Sequence, residues 1–365
     1  MKTLRTPESV ELIATNKCNL RCMYCSHFTS EGSANDDLQT DEWLTFFEEL
    51  NRCAVLEASF GGGEPFIRED FKELISGVVK NRMRFCILSN GALVTDEMAA
   101  FIAATGRCNG VQISIDGSFP GSHDVFRGDG AFKMAIEGAK HIKNNGIPLT
   151  ARVTIHRHNV DDLERTVCYL LDELHLSHIT TNAASYIGLC KNNATQVQLS
   201  VEQMSNAMTT LLRMESRYPG RISAVAGPHF NAKQWLIMEK ARIEGQQTHP
   251  DCGYLRSCGG VFSKITVRAD GVIVPCVQLA HIELGTINID DLRTVWHSHP
   301  MLLKLRERRD IPLDSFKFCY DCVYTRYCRG SCPSLAYSMV GNENHPSPDS
   351  CLRLFLESGG KLPEA

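Results

Sequence analysis

Short runs rich in Val, Ile, Phe and Thr alternate with amphipathic stretches from Val10 to about Arg217. The runs Val10–Thr15, Leu56–Gly61, Arg84–Ser89, Gly110–Asp116, Pro148–Ile155 and His178–Ala183 have the length of strands, and most end at glycine, asparagine or aspartate. Between them the apolar spacing predicts helices over Asp41–Arg52, Asp70–Asn81, Thr95–Ala104, Phe132–Asn144, Asp161–Leu174 and Ser200–Glu215, several opening on Asp, Ser or Thr as an N-cap. Such a succession of βα units predicts a parallel sheet covered by helices, either an open doubly wound sheet or a partial barrel. In both architectures ligands bind at the carboxyl ends of the strands.

The pattern changes after Arg217. Tyr218-Pro219-Gly220 and Gly227-Pro228 mark a seam, followed by a predicted helix from Asn231 to Ile243. Phe262–Val267 and Val272–Val274 then flank Ala269-Asp270-Gly271, a hairpin signal. A short helix near Asp290–Trp296 precedes a cysteine-rich segment read as loop. The expected organisation is an α/β domain over 8–216, a helical linker over 217–249 and a metal-stapled module over 250–355.

Composition narrows the class. Of 365 residues, 43% are hydrophobic and 22% charged, as in soluble globular proteins. A net charge of −4 makes no electrostatic case for nucleic acid or an anionic membrane, so no nucleic-acid and no membrane partner is expected. The basic run Lys304 to Arg309, interrupted by Glu307, reads as a solvated helix face. Without a signal peptide or an apolar stretch of bilayer length, the expectation is a cytoplasmic protein with reduced thiols. Sixteen cysteines then point to metal or redox chemistry rather than disulfides.

Chemistry concentrates in two cysteine sets. Cys18, Cys22 and Cys25 follow the first strand with the spacing C-x3-C-x2-C. Three thiolates can hold three irons of a 4Fe–4S cube and leave the fourth open to bind and reduce a small molecule. Three cysteines with a histidine such as His27 could also hold zinc. The second set comprises Cys252, Cys258, Cys276, Cys319, Cys322, Cys328, Cys332 and Cys351. Eight cysteines make two tetrahedral sets in a segment poor in apolar periodicity, and zinc would satisfy that count equally well. Of the remaining cysteines, Cys53, Cys86 and Cys168 read as small core residues, and Cys108 and Cys190 as loop residues.

The triad, the segment Gly61-Gly62-Gly63-Glu64-Pro65 and the segment Gln112-Ile113-Ser114-Ile115-Asp116-Gly117 together resemble the core of radical S-adenosylmethionine enzymes. The later pattern C-x12-G-x4-C … C-x2-C-x5-C-x3-C … C is similar to the SPASM extension carried by many of them. The resemblance covers about residues 8–215 and 250–355. It implies a partial (β/α)6 barrel with a C-terminal iron–sulfur (SPASM) module, an oxidoreductase of anaerobic chemistry, and S-adenosylmethionine with three 4Fe–4S clusters as cofactors. In that family a reduced cluster cleaves the cofactor to a 5′-deoxyadenosyl radical, which abstracts a hydrogen from the substrate.

Carried over by residue, the resemblance places the catalytic cluster on Cys18, Cys22 and Cys25, and Tyr24 against the adenine. Gly62, Gly63 and Glu64 would receive the methionine ammonium, Arg127 the carboxylate, and Ser114 the ribose or methionine, with Ser89 and Asn90 near the ribose. One auxiliary cluster would use Cys252, Cys258, Cys276 and Cys332, the other Cys319, Cys322, Cys328 and Cys351. No general base is assigned. The resemblance further implies a peptide or protein substrate, acquiring a thioether, a carbon–carbon crosslink or an oxidised side chain, and a flavodoxin- or ferredoxin-type reductant.

Other readings are a haem-precursor decarboxylase, a sulfatase maturase and a zinc- or cluster-stabilised binding module without catalysis. Sulfatase-activating relatives usually carry an Asp after the cysteine matching Cys276; here Val277 stands there, which disfavours that reading unless Asp321 or another carboxylate substitutes. Many peptide-modifying relatives carry a leader-binding segment before the triad. With the triad starting at Cys18, the expected replacement is a separate leader-peptide-binding protein, or recognition by the barrel and the C-terminal module.

Overall fold

The computed structural model describes residues 3–27, 37–247 and 249–364. One ten-stranded sheet organises the chain, in the order β10-β9-β8-β1-β2-β3-β4-β5-β6-β7. The strands are β1 (Ser9–Thr15), β2 (Glu57–Gly62), β3 (Arg84–Ser89), β4 (Cys108–Ser114), β5 (Leu149–Ile155), β6 (His178–Ala183), β7 (Ile222–Ala224), β8 (Lys264–Val267), β9 (Val272–Val274) and β10 (Gly285–Thr286). From β8 through β1 to β7 every neighbouring pair is parallel; β8, β9 and β10 pair antiparallel. This is the mixed α/β, largely parallel sheet of a partial barrel.

Alternation along each strand separates two faces. Val10, Leu12 and Ala14 of β1, Phe85 and Ile87 of β3, Val111 and Ile113 of β4, and Ala151 and Val153 of β5 pack into the main core with helix side chains such as Trp43, Phe46 and Phe71. The opposite face is polar: Glu11, Ser59, Cys86, Gln112, Ser114, Thr150, Arg152, Thr154, Thr180, Asn182 and Lys264. Cys86 therefore stands on the lumen side, its thiol 3.2 Å from Ser59 Oγ, and not in the apolar core.

Several elements differ from the sequence expectation. A helix at Pro120–Arg127 precedes the expected one, which spans Ala131–Asn144. The segment 217–249 contributes β7 and a long helix, Gly227–Glu244. Two helices, Pro333–Val340 and Leu352–Glu357, form inside the cysteine-rich segment read as loop. The basic run is solvated only in part: Lys304, Glu307 and Arg309 are exposed. Arg306 and Arg308 are buried, and Arg308 alone donates to the carbonyls of Glu343, His345, Ser331 and Arg256. A guanidinium that offers five donors can staple loops whose carbonyls point inward.

A cleft built by the cysteine triad and the glycine turn

The loop after β1 carries the triad and is fixed from two sides. The Gly63 N–H donates to the Thr15 carbonyl and the Glu64 N–H to the Lys17 carbonyl, both at 2.9 Å. The turn after β2 thereby comes so close that a Cβ on Gly63 would lie 2.0 Å from the Lys17 oxygen. A Cβ on Gly62, where φ is +123°, would lie 2.6 Å from the Thr15 oxygen. Only glycine permits this approach. From the other side the Met23 N–H donates to the Phe126 carbonyl at 3.0 Å and the Leu189 N–H to the Cys25 carbonyl at 2.9 Å.

Cys18, Cys22 and Cys25 are half-buried. With Gly61 to Gly63, Tyr24, His27, Ser89, Asn90, Ser114 and Arg127 they line one cleft of about 290 Å³ at the carboxyl ends of the strands. Among the described lining residues no fourth cysteine joins them. His27 is engaged by Asn16, with Nε2 3.1 Å from Oδ1. Burial pushes the Cys22 thiol up to about 12 against the pull of the Arg127 guanidinium, and burial raises Cys18 too. Neighbouring thiols add to each shift, so three thiolates here need a bound cation to offset their charge. A three-thiolate iron–sulfur cluster fits this donor set.

Asp116, two residues past the end of β4, organises the cleft wall, a role that the motif containing it does not announce. Its Oδ2 accepts from the Tyr24 hydroxyl and, at 2.6 Å, from Arg127 Nε. Its Oδ1 accepts from the Thr154 N–H at 2.8 Å. Burial opposes ionisation of Asp116, but Arg127, His123 and His156 together outweigh it and hold the carboxyl at about 2. The Tyr24 ring stacks on His156 at 5.5 Å between centroids, and Arg127 lies 5.3 Å above the Tyr24 ring. The signal available in the sequence was an aspartate closing an apolar strand, eleven residues before an arginine on the next helix.

Glu64 sits behind the glycine turn, fully buried. Its carboxylate accepts from Ser89 Oγ and the Asn90 N–H, each at 2.8 Å, and from the Phe66 N–H at 3.3 Å. Burial nonetheless pushes it up to about 7. Glu64 and Ser89 thus hold the loop that presents Asn90, whose Nδ2 lies 3.8 Å from Cys18 Sγ and 2.9 Å from Asn19 Oδ1.

The C-terminal cysteines gather in two places. Cys319, Cys322, Cys328 and Cys351 line one cavity, where burial followed by the neighbouring thiols raises Cys319 to about 12. Cys258 and Cys332 both lie within electrostatic reach of Cys276, which burial pushes up to about 12. Cys252 is buried in the adjoining loop, where the next N–H, that of Gly253, donates to the Cys328 carbonyl. Val277 and Gln278, directly after Cys276, reach the triad cleft, whereas Asp321 is exposed in the turn between Cys319 and Cys322. Cys190, expected in a loop, is buried in a short helix, and Cys108 begins β4.

Residues 12–170 match the radical SAM superfamily, and residues 258–323 match SPASM, an iron–sulfur cluster-binding domain. The chain therefore carries a radical SAM domain followed by a SPASM domain. It is 25% identical over 359 residues to a PqqA peptide cyclase of Granulibacter bethesdensis, covering 96% of this chain and 89% of that one. It is 24% identical over 347 residues to an AdoMet-dependent heme synthase of Methanosarcina barkeri, covering 94% and 95%. In fold it is similar to Streptococcus suis SuiB bound to S-adenosylmethionine, with a TM-score of 0.72 at 14% identity over 96% of this chain and 78% of that one. Native anSMEcpe with bound AdoMet superposes with a TM-score of 0.66 at 18% identity over 96% of both chains. This radical S-adenosylmethionine enzyme thus takes that cofactor together with iron–sulfur clusters.

Proposed function

We propose that the enzyme modifies a side chain or the backbone of a ribosomally made peptide or protein, installing a thioether or carbon–carbon crosslink or oxidising a residue. The observation that carries this reading is the end-to-end likeness to PqqA peptide cyclases, 96% of this chain, combined with a cleft that opens onto a polar barrel lumen. SuiB, of the same fold, is known bound to its precursor peptide SuiA. Bound at the cleft, a cluster and S-adenosylmethionine would together supply a 5′-deoxyadenosyl radical.

The chain's own residues have separate tasks. Cys18, Cys22 and Cys25 hold the catalytic cluster, and the carbonyl edge at Gly62 and Gly63 receives the methionine ammonium. Glu64 and Ser89 hold the Asn90 loop in place for the ribose. Arg127, with Nε committed to Asp116, turns its remaining donors to the methionine carboxylate, and Tyr24 and Ser114 bound the nucleoside. Cys319, Cys322, Cys328 and Cys351 hold one auxiliary cluster, and Cys252, Cys258, Cys276 and Cys332 the other. A flavodoxin- or ferredoxin-type reductant and a leader-binding partner complete the proposal.

The likeness to heme synthases favours a second reading, action on a tetrapyrrole. Reconstituted enzyme, S-adenosylmethionine and dithionite incubated with candidate peptides and with porphyrinoids distinguish the two by mass. A peptide that loses two hydrogens supports the first reading; loss of carboxyl groups from a porphyrinoid replaces it with the second. The Cys22→Ala variant is expected to stop 5′-deoxyadenosine release while the far-ultraviolet spectrum stays unchanged.

A further inference from the structure

Among the described residues, the inward face of the sheet carries five charged side chains, Glu11, Glu57, Arg84, Arg152 and Lys264, and four of them are matched. Lys264 Nζ stands 3.0 Å from Glu11 Oε2 across the β1–β8 pair. Near the lower end, Arg84 and Glu57 are both held by Asn109. Arg152 of β5 is the exception. Among the described residues no hydrogen bond, ion pair or ring contact holds its guanidinium. Among the described residues no carboxylate lies close enough to offset its burial, which lowers its pKa.

Its place in the sheet is defined by register. Arg152 stands opposite Ser114 of β4 and Thr180 of β6 in the parallel ladders. Thr154 and Asn182, one inward position further along their strands, line the triad cleft, as does Ser114 itself. Arg152 is therefore rooted about 7 Å below the cleft's Thr154 level, a depth that an arginine side chain spans. A guanidinium partly stripped of water and given no partner costs free energy in the free enzyme. Its planar fork of donors suits a bidentate carboxylate, and such a charge-assisted pair strengthens as water is excluded.

We propose that Arg152 recognises a carboxylate of the substrate, so that the peptide residue drawn into the lumen is acidic. The inference deepens the peptide reading and rests on it. The cofactor's own carboxylate is served at the rim, where Arg127 is pinned by Asp116 beside the triad loop. Arg152 belongs instead to the middle of the sheet, beneath the cleft. There a Glu or Asp side chain entering past Ser114, Thr154 and Asn182 meets its first unmatched cation. Binding of the acid would set the depth and orientation at which the substrate presents a hydrogen to the cleft.

The test uses the reconstituted, S-adenosylmethionine-loaded holoenzyme and ligand-observed NMR titrations with three probes: acetyl-Gly-Glu-Gly-amide, its Gln counterpart and glutarate. The Glu peptide is expected to bind at least tenfold more tightly than the Gln peptide. That preference should fall to within twofold in Arg152→Gln and return in part in Arg152→Lys, with iron content and far-ultraviolet spectrum matching the parent. Equal binding of the two peptides by the parent enzyme would overturn the proposal, as would a preference that survives Arg152→Gln. A tenfold loss of S-adenosylmethionine affinity in Arg152→Gln would overturn it too, by placing the guanidinium on the cofactor. Glutarate separates the two levels of the argument. If glutarate binds in an Arg152-dependent way while neither peptide binds, the carboxylate site stands and the peptide reading falls.

Discussion

At the scale of single residues, the cleft wall keeps ionisable groups in states that solvent would not choose. Burial, reinforced by Arg127, holds the His123 ring near 4, and burial holds His156 near 4 against the pull of Asp116. Below pH 6.5 the unfolded chain takes up protons that these folded rings refuse, so each ring's contribution is complete above pH 6.5 and lost as pH falls toward 4. Each is worth ~3 kcal/mol. Glu64 has the opposite sign: its folded carboxyl keeps a proton up to about 7, whereas the unfolded one releases it near 4.5, so its contribution declines as pH rises through that window. Two rings outweigh one carboxyl. We predict that the metal-free chain loses ~2 kcal/mol of stability in urea titrations between pH 6.5 and 4.5. The NMR signals of both rings should stay unprotonated down to pH 5. Little of this was visible in the sequence, where Asp116, His123 and His156 are ordinary polar letters and only their burial together makes them a wall.

At the scale of elements, the strands were legible and the polar helix was not. The βα alternation could be read because β-branched runs end at turn residues, and β3 and β6 fall on their expected bounds. Helix Pro120–Arg127 escaped because its buried face carries Ser122, His123 and Arg127 rather than aliphatic side chains. That helix exists to meet Asp116. We predict that Asp116→Asn, which leaves Arg127 buried without its counter-charge, costs about 3–5 kcal/mol in urea denaturation. It should also weaken S-adenosylmethionine binding at least tenfold by isothermal titration. The glycine turn acts on the triad loop from the opposite side. Gly63→Ala would place a methyl 2.0 Å from the Lys17 oxygen, so the Cys18 loop must move. Reconstituted Gly63→Ala is expected to retain about eight irons of about twelve, losing the one three-cysteine cluster, by iron and sulfide analysis.

At the scale of the whole molecule, sheet continuity joins what the cysteine spacing had divided. The hairpin was legible from Ala269-Asp270-Gly271, but its parallel docking onto β1 depends on pairing across some 250 residues, which no local pattern encodes. The burial of Arg306 and Arg308 escaped for a related reason. A run of charges looks solvated until distant loops bring carbonyls to it. Because β8 covers one edge of β1, a chain ending at residue 250 exposes that edge and the apolar side chains of Leu12 and Ala14 near it. We predict that this truncation elutes as aggregate in size-exclusion chromatography with light scattering, whereas the full chain gives a discrete peak.

The β1–β8 pairing also bears on how electrons reach the cleft. β1 runs directly into the triad loop, and Cys276 follows β9, two strands away in the same hydrogen-bonded ladder. Val277 and Gln278, its next two residues, already form part of the cleft. If the triad and Cys276 hold clusters as proposed, tunnelling between them would work across a gap set by ladder hydrogen bonds, a fixed resistor rather than a swinging contact. The rate of charge passage should then depend on driving force and temperature, and not on the viscosity of the solvent.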